Sequence, residues 1–528
     1  MGRFVWHTSQ RMVHTLTGKN LTIAALNAIA RGAKVKISQA ALRRAGRSKE
    51  FLDREARKRI IYGVNTGFGP MASRLIGKDD LGALQYNLVR SHACGAGEPV
   101  ADEYVLAAMV VRLNTLLRGD SGVTASLLHL LAKLINARFA PVVPEHGGVG
   151  ASGDLIQLSH IALGLIGEGE VRLRGRRMSA KRALQKLNLK PHRLGQKEGL
   201  ALINGTSFMA GVAALVAHEG RQILAIAVRA SALALEAVGA FDDSLAPYLH
   251  AARPHPGQGE VARLLRALTK GSKLLRPRQA FEHSQALEEG TVDLERKAQD
   301  VYSLRCAPQI LGPMLETLRM VEHTIEVEIN SATDNPLIDA GAGRVLHGGN
   351  FHGEYIAAAM DNLKLSLAKL SVLCERRLNF FLHDKVNGIF PPFLNTGTPG
   401  LTLGLQGLQF VATSTAAQNQ TLAYPHSLHS IPSNADNQDV VSMGADAALF
   451  AACTAANTAL VVAIELAALS QAFAITKGER RASPQGRGLI GAIRNRVKTV
   501  AEDRPLWRDM QNLAGAVRRG EVCEPLFD

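Results

Sequence analysis

From Ala447 to Ile464 the chain carries no charged residue, so that stretch must either cross a membrane or be buried by the rest of the protein. It contains Thr454, Asn457 and Thr458, is rich in alanine, and runs straight into Glu465. Membrane-spanning helices are richer in large apolar residues. The stretch therefore predicts a helix inside a large bundle. Val212–Leu249 has the same Ala/Leu character. With 528 residues there is enough chain to bury such helices. Aromatic residues make up only 5% while Ala and Leu abound, which favours helix over sheet. The expected fold is mainly α: a smaller N-terminal domain over 1–211, then a long central helical bundle with C-terminal helices over 212–528. No internal repeat is visible.

Net charge is +15, which permits contact with a polyanion but does not require it. The best local candidate is V-R-L-R-G-R-R at 171–177, which reads as a surface hairpin. It has no interleaved aromatics to stack on bases, so no nucleic-acid partner and no membrane partner are expected. The basic run from Arg43 to Arg59 reads as a solvated helix face. Cys94, Cys306, Cys374, Cys453 and Cys523 lie far apart, with no C-x-x-C, and point to a reducing cytoplasm and no metal site. The first residues lack the apolar run of a signal peptide, and residues 1–15 read as an irregular tail.

Glu145–Leu155 reads E-H-G-G-V-G-A-S-G-D-L. Glycine lets backbone approach backbone closely. A tight Ala151-Ser152-Gly153 turn could carry the Gly153 nitrogen to the Ala151 carbonyl carbon. Ring closure and loss of water, including the Ser152 hydroxyl, would leave an exocyclic methylene, an electrophile that no ordinary side chain supplies. The plainer reading is a glycine-rich turn with Asp154 capping the following helix.

Further segments stand out. Y-G-V-N-T-G-F-G begins at Tyr62 in a glycine-rich loop. Ser91-His92 closes a helical stretch before Gly95 and Gly97, and by position alone its imidazole reads as serving the helix C-terminus. G-L-A-L-I-N-G-T contains Asn204. Gln299, Tyr302 and Arg305 are spaced so that a helical turn would bring Tyr302 and Arg305 to one side. S-A-T-D-N-P contains Asn335, and G-G-N-F-H contains Phe351. The polar stretch His426–Met443 holds Gln438. Pro254–Arg278 reads as a basic connection marked by Pro and Gly.

In this order these segments resemble the aromatic amino acid ammonia-lyases and the related aminomutases, over roughly Leu16 to Lys477. The resemblance implies a homotetramer with active sites built from several subunits. It implies that Ala151, Ser152 and Gly153 cyclise autocatalytically to methylidene-imidazolone (MIO). Tyr62 would be the catalytic base, Arg305 would bind the substrate carboxylate, and Asn204, Gln299 and Tyr302 would orient the amine and the prosthetic group. His92 would read the substrate ring, with Asn335, Phe351 and Gln438 as further pocket residues. A guanidinium suits the carboxylate because it can bind it with two hydrogen bonds.

Substrate choice turns on two of these positions. Ser91-His92 is similar to histidine enzymes and to one bacterial group of tyrosine enzymes. Histidine enzymes of the family carry a glutamate where N-A-D-N-Q-D places Gln438. A neutral amide cannot pair with an imidazolium as a carboxylate can, whereas His92 could hydrogen-bond a phenol. The expected reaction is L-tyrosine to trans-4-coumarate and ammonia. Histidine ammonia-lyase and MIO aminomutase chemistry are the alternatives, and a non-catalytic basic helical scaffold is a distant one.

Overall fold

Helices dominate, with 58% of the described residues helical and 8% in strands. The computed structural model describes residues 12–283, 291, 293–294 and 297–527. The uncharged stretch lies inside one long helix, Gly444–Thr476, which is the one described helix long and apolar enough to span a membrane. Of its most apolar window, 67% is buried within the protein, as a core helix requires. Three more long helices run over Ser207–Val238, Ala307–Glu328 and Glu354–Leu382.

The chain divides into two units, and neither is continuous in sequence. The first comprises 1–218, 321–362 and 425–452; the second comprises 219–320, 363–424 and 453–528. Each of the four long helices contains a boundary, so one end of each belongs to each unit. The remaining boundary, after Tyr424, follows the end of the Gln406–Leu422 helix. The first crossing lies close to the break expected after residue 211; the returns at 321–362 and 425–452 are additional.

In the first unit, short sheets brace the helices. Val13–Leu16 pairs in parallel with Lys34–Ile37, so the irregular tail expected over 1–15 ends by residue 13, and residues 1–11 lie outside those described. The basic hairpin forms as expected, Glu170–Leu173 against Arg176–Ser179, with Phe139–Pro141 as a third strand. Phe51, Leu52, Ile61, Val64 and Ile338 form a buried cluster. Burial of such a side chain contributes about 1.5–3 kcal/mol, and Ile61 and Val64 thereby fix the chain on both sides of Tyr62.

The second unit holds a buried ion pair. Arg377 meets both oxygens of Glu465, and neither side chain reaches solvent. Burial, with Glu465 beside it, pushes the Cys374 thiol well above its ordinary range. All five cysteines are free. The connection expected over Pro254–Arg278 is largely a helix, Pro256–Thr269. Pro256 starts it where no intrahelical N–H bond is needed, and one face is apolar.

Candidate active site

A cavity of about 510 Å3 lies in the first unit, and segments remote in sequence converge on it. Tyr62, Phe68, Gly69 and Met71 come from the glycine-rich loop. Leu84, Asn87, Leu88 and Ser91 form one face of the Leu81–His92 helix, with His92 at its end. Ser152 and Gly153 come from the central turn, Asn204 from the turn before the Ser207–Val238 helix, and Asn335 and Phe351 from two later loops. Asn434, Asn437 and Gln438 add a polar segment to the lining.

The central turn is built for close backbone approach. Gly153 has φ +72° and pairs with Gly205, while Ala151 and Gly153 also bridge each other. A Cβ on Gly153 would overlap the Gly205 carbonyl. Gly205 has φ +136°, and a Cβ there would overlap the Thr333 carbonyl. Ala151 is buried behind the turn and does not line the cavity. Both oxygens of Ser152 accept a hydrogen bond: Asn204 Nδ2 donates to the carbonyl at 3.0 Å and Gln438 Nε2 to the hydroxyl at 2.9 Å.

Asp154 is the N-cap residue of the Leu155–Leu165 helix, but its side chain makes no capping bond there. Its Oδ2 instead accepts from Phe208 N and Met209 N at 2.8 and 3.0 Å, at the start of the Ser207–Val238 helix. A carboxylate is favoured at that end of a helix by the unpaired N–H groups there. The Asp154 backbone N–H also donates to the Gly205 carbonyl at 2.8 Å, so backbone and side chain together join the turn to the neighbouring helix. Burial pushes the Asp154 carboxyl up to about 7, against those two hydrogen bonds and the nearby Arg112. Arg112 is itself fully buried on the Asp102–Leu117 helix, and burial lowers it to about 10 despite Asp334 and Asp154. It donates to Ser207 Oγ and to the Thr333 carbonyl, while Lys197 bonds Asp334 at 2.6 Å. A layer of buried charge therefore backs the turn.

Tyr62 is set by its own loop. Gly69 N–H donates to its hydroxyl oxygen at 3.0 Å, and the Phe68 ring meets it edge-on at 6.3 Å. Gln85 Nε2 holds the Gly63 carbonyl at 3.1 Å. His92 Nδ1 lies 2.9 Å from the Leu88 carbonyl. Ser91 Oγ lies 3.1 Å from the same nitrogen; a carbonyl only accepts, so the tautomer with its proton on Nδ1 would serve Leu88 and leave Nε2 as an acceptor.

Gln299, Tyr302 and Arg305 do not line this cavity; they belong to the second unit. Tyr302 and Arg305 share a single helical turn, as their spacing predicts, with the guanidinium 4.7 Å from the Tyr302 ring centre. Tyr302 is 69% exposed. Asn87, Asn434 and Asn437 in the lining, and Arg112 and Lys197 behind it, are functional candidates that the sequence alone did not single out. Asn87 was detectable by its helical spacing from Ser91; the buried cations gave no signal of their own.

The model of the family described as aromatic amino acid lyase matches residues 21–495. The chain belongs to this family. A tyrosine 2,3-aminomutase of a Myxococcus species is 43% identical to it over 469 residues, 87% of each chain. A histidine ammonia-lyase of Caldanaerobacter subterraneus is 38% identical over 513 residues, 97% of each chain. The solved tyrosine aminomutase of Streptomyces globisporus is similar with a TM-score of 0.92 at 37% identity, covering 97% of this chain and 98% of that one. This lyase-family chain is therefore an enzyme related to both lyases and aminomutases of aromatic amino acids.

Proposed function

We propose that the protein is a tyrosine ammonia-lyase, converting L-tyrosine to trans-4-coumarate and ammonia with an MIO group made from Ala151, Ser152 and Gly153. The observation that carries the substrate is the pairing of His92 and neutral Gln438 in the lining of one cavity. With Nδ1–H bonded to Leu88, the His92 Nε2 suits a phenol O–H as donor. No carboxylate stands at position 438 to balance an imidazolium.

The turn fits a group made from its own backbone. Gly153 is left-handed, no Cβ could be added to it, and Asn204 and Gln438 hold the two Ser152 oxygens. Asn204, on the carbonyl that the finished group keeps, would hold that group, which supplies an electrophile for the substrate amine and so eases loss of ammonia. Tyr62 takes the β-proton, its hydroxyl fixed in direction by Gly69 N–H. Asn335 and Phe351 close the side of the pocket. Arg305 binds the carboxylate, and Gln299 and Tyr302 orient the amine, with Tyr302 taking a catalytic part. In a homotetramer these three would come to the cavity from a neighbouring copy.

A second reading is a tyrosine aminomutase, which returns the amine to the β-carbon. The 43% identity to proteins named tyrosine 2,3-aminomutase supports it, and the residues named here serve both reactions. Product formation from L-tyrosine, L-phenylalanine and L-histidine, with Ser152→Ala as control, tests both. Coumarate lost in the control is the expected result. β-Tyrosine as the main product would establish the mutase, urocanate would overturn the argument from Gln438, and no product from any substrate would overturn the enzyme assignment.

A further inference from the structure

Gln438 contacts one of the two oxygens that must leave before an MIO group exists, the Ser152 hydroxyl. We infer that Gln438 is a catalytic residue of the protein's own maturation, a hydrogen-bond donor that assists loss of the Ser152 hydroxyl; this rests on the MIO reading above.

The chemistry defines where help is needed. Ring closure joins Gly153 N to the Ala151 carbonyl carbon, and that carbonyl oxygen leaves as water with the two amide hydrogens of Ser152 and Gly153. Dehydration then, or beforehand, breaks the Ser152 Cα–H and Cβ–Oγ bonds. The Cα proton passes to solvent water and its electron pair becomes the new Cα=Cβ bond. Oγ departs with the C–O pair as hydroxide and is protonated to water. Negative charge thus develops at two oxygens: the Ser152 carbonyl, which shares the charge left at Cα, and the departing Oγ.

Each of those oxygens has a side-chain amide donor. Asn204 Nδ2 lies 3.0 Å from the carbonyl and Gln438 Nε2 lies 2.9 Å from Oγ. Donors fixed where charge develops lower a barrier without reorganising during the step. The Gln438 amide is held for this orientation. Ser433 Oγ donates to Gln438 Oε1 at 3.4 Å, which leaves Nε2 to face Ser152. Backbone bonds in both directions between Ser433 and Gln438, at 3.0 and 3.2 Å, close the turn that presents it.

That turn is strained. Asn434, Ala435 and Asp436 have φ of +57°, +51° and +58°, three successive side-chain-bearing residues in the left-handed region. L-residues visit this region as single residues rather than in runs. Strain of this kind persists where the surroundings over-determine the backbone, and it clusters at working sites. A glutamine needed only to fill space against Ser152 would not require such a turn.

The test follows maturation by mass. The full chain is synthesised cell-free, denatured at intervals and digested, and the peptide containing Ala151–Gly153 is weighed. The wild type should become lighter by two waters. Gln438→Leu and Gln438→Ala should delay that full loss about tenfold, the effect of one hydrogen bond removed. Ser433→Ala, which keeps the amide but frees its Oε1, should delay it less. Loss of both waters at the wild-type rate in the Gln438 variants would overturn the inference. If those variants fail to fold by circular dichroism, an undelayed Ser433→Ala overturns it. A wild type that keeps both waters would instead defeat the MIO reading.

Discussion

The Ala151–Gly153 turn and the Gln299–Arg305 segment are both singled out by sequence, yet they are built in opposite ways. At the turn, backbone packs on backbone, with Gly153 against Gly205 and Gly205 against Thr333, and buried charge lies behind. In the other segment Tyr302 is mostly exposed, and its described partner is the Arg305 guanidinium stacked over its ring. The contrast separates two uses of a functional residue. Residues of the turn are parts of the fold, so changing them disturbs stability and chemistry together. Tyr302 stands outside the packed core, so changing it should disturb chemistry alone.

The sharpest way to break that contrast is Gly205→Ala. It puts a Cβ into the Thr333 carbonyl at φ +136°, and strain with overpacking should cost about 2–5 kcal/mol. A urea midpoint close to wild type would show that the turn is not a rigid element. Arg305→Lys tests the other side. Loss of two-pronged carboxylate binding should raise KM about ten- to a hundredfold in steady-state kinetics, with the urea midpoint unchanged. A lowered midpoint would place Arg305 in the fold as well.

The smallest expected effect concerns pH. The folded-state carboxyl of Asp154 sits at about 7, above its ordinary value of 3.8. Between those values the folded chain binds the proton that the unfolded chain has released. This group's contribution to stability is therefore full below about 4 and is lost as pH rises through about 7. Asp154→Asn can still accept from Phe208 and Met209 N–H but cannot titrate. Stability measured from pH 4 to 8 should decline less steeply with rising pH in the variant; identical slopes would remove Asp154 as the cause.

The long apolar helices were legible because a run such as Ala447–Ile464 has few ways to exist, and family motifs brought Tyr62, His92, Ser152, Asn204 and Gln438 to notice. The structure places these five around one cavity. Short elements were less legible. Val13–Leu16 is a strand only because Lys34–Ile37 lies beside it, a pairing that no local pattern reports. Pro256–Thr269 looked like a loop because of its Pro and Gly residues. Pro256 opens the helix, and Gly257 is there because a Cβ would overlap the Gly312 carbonyl. Arg112 was hidden for a related reason: the carboxylates that make its burial tolerable, Asp154 and Asp334, are distant in sequence.

The discontinuity of the first unit bears on when the protein can mature during synthesis. Ser442 Oγ bonds the Gly150 carbonyl across 292 residues of chain, and Gln438 reaches Ser152 across 286. At ordinary elongation rates the ribosome needs roughly 15–60 s to cover that distance. For most of that interval the nascent turn has its partners at Asn204 and Gly205 but lacks Gln438 and Ser442. On the MIO reading the turn gains the Gln438 donor and the Ser442 brace only after their codons have been read, so a chain truncated before them should mature more slowly.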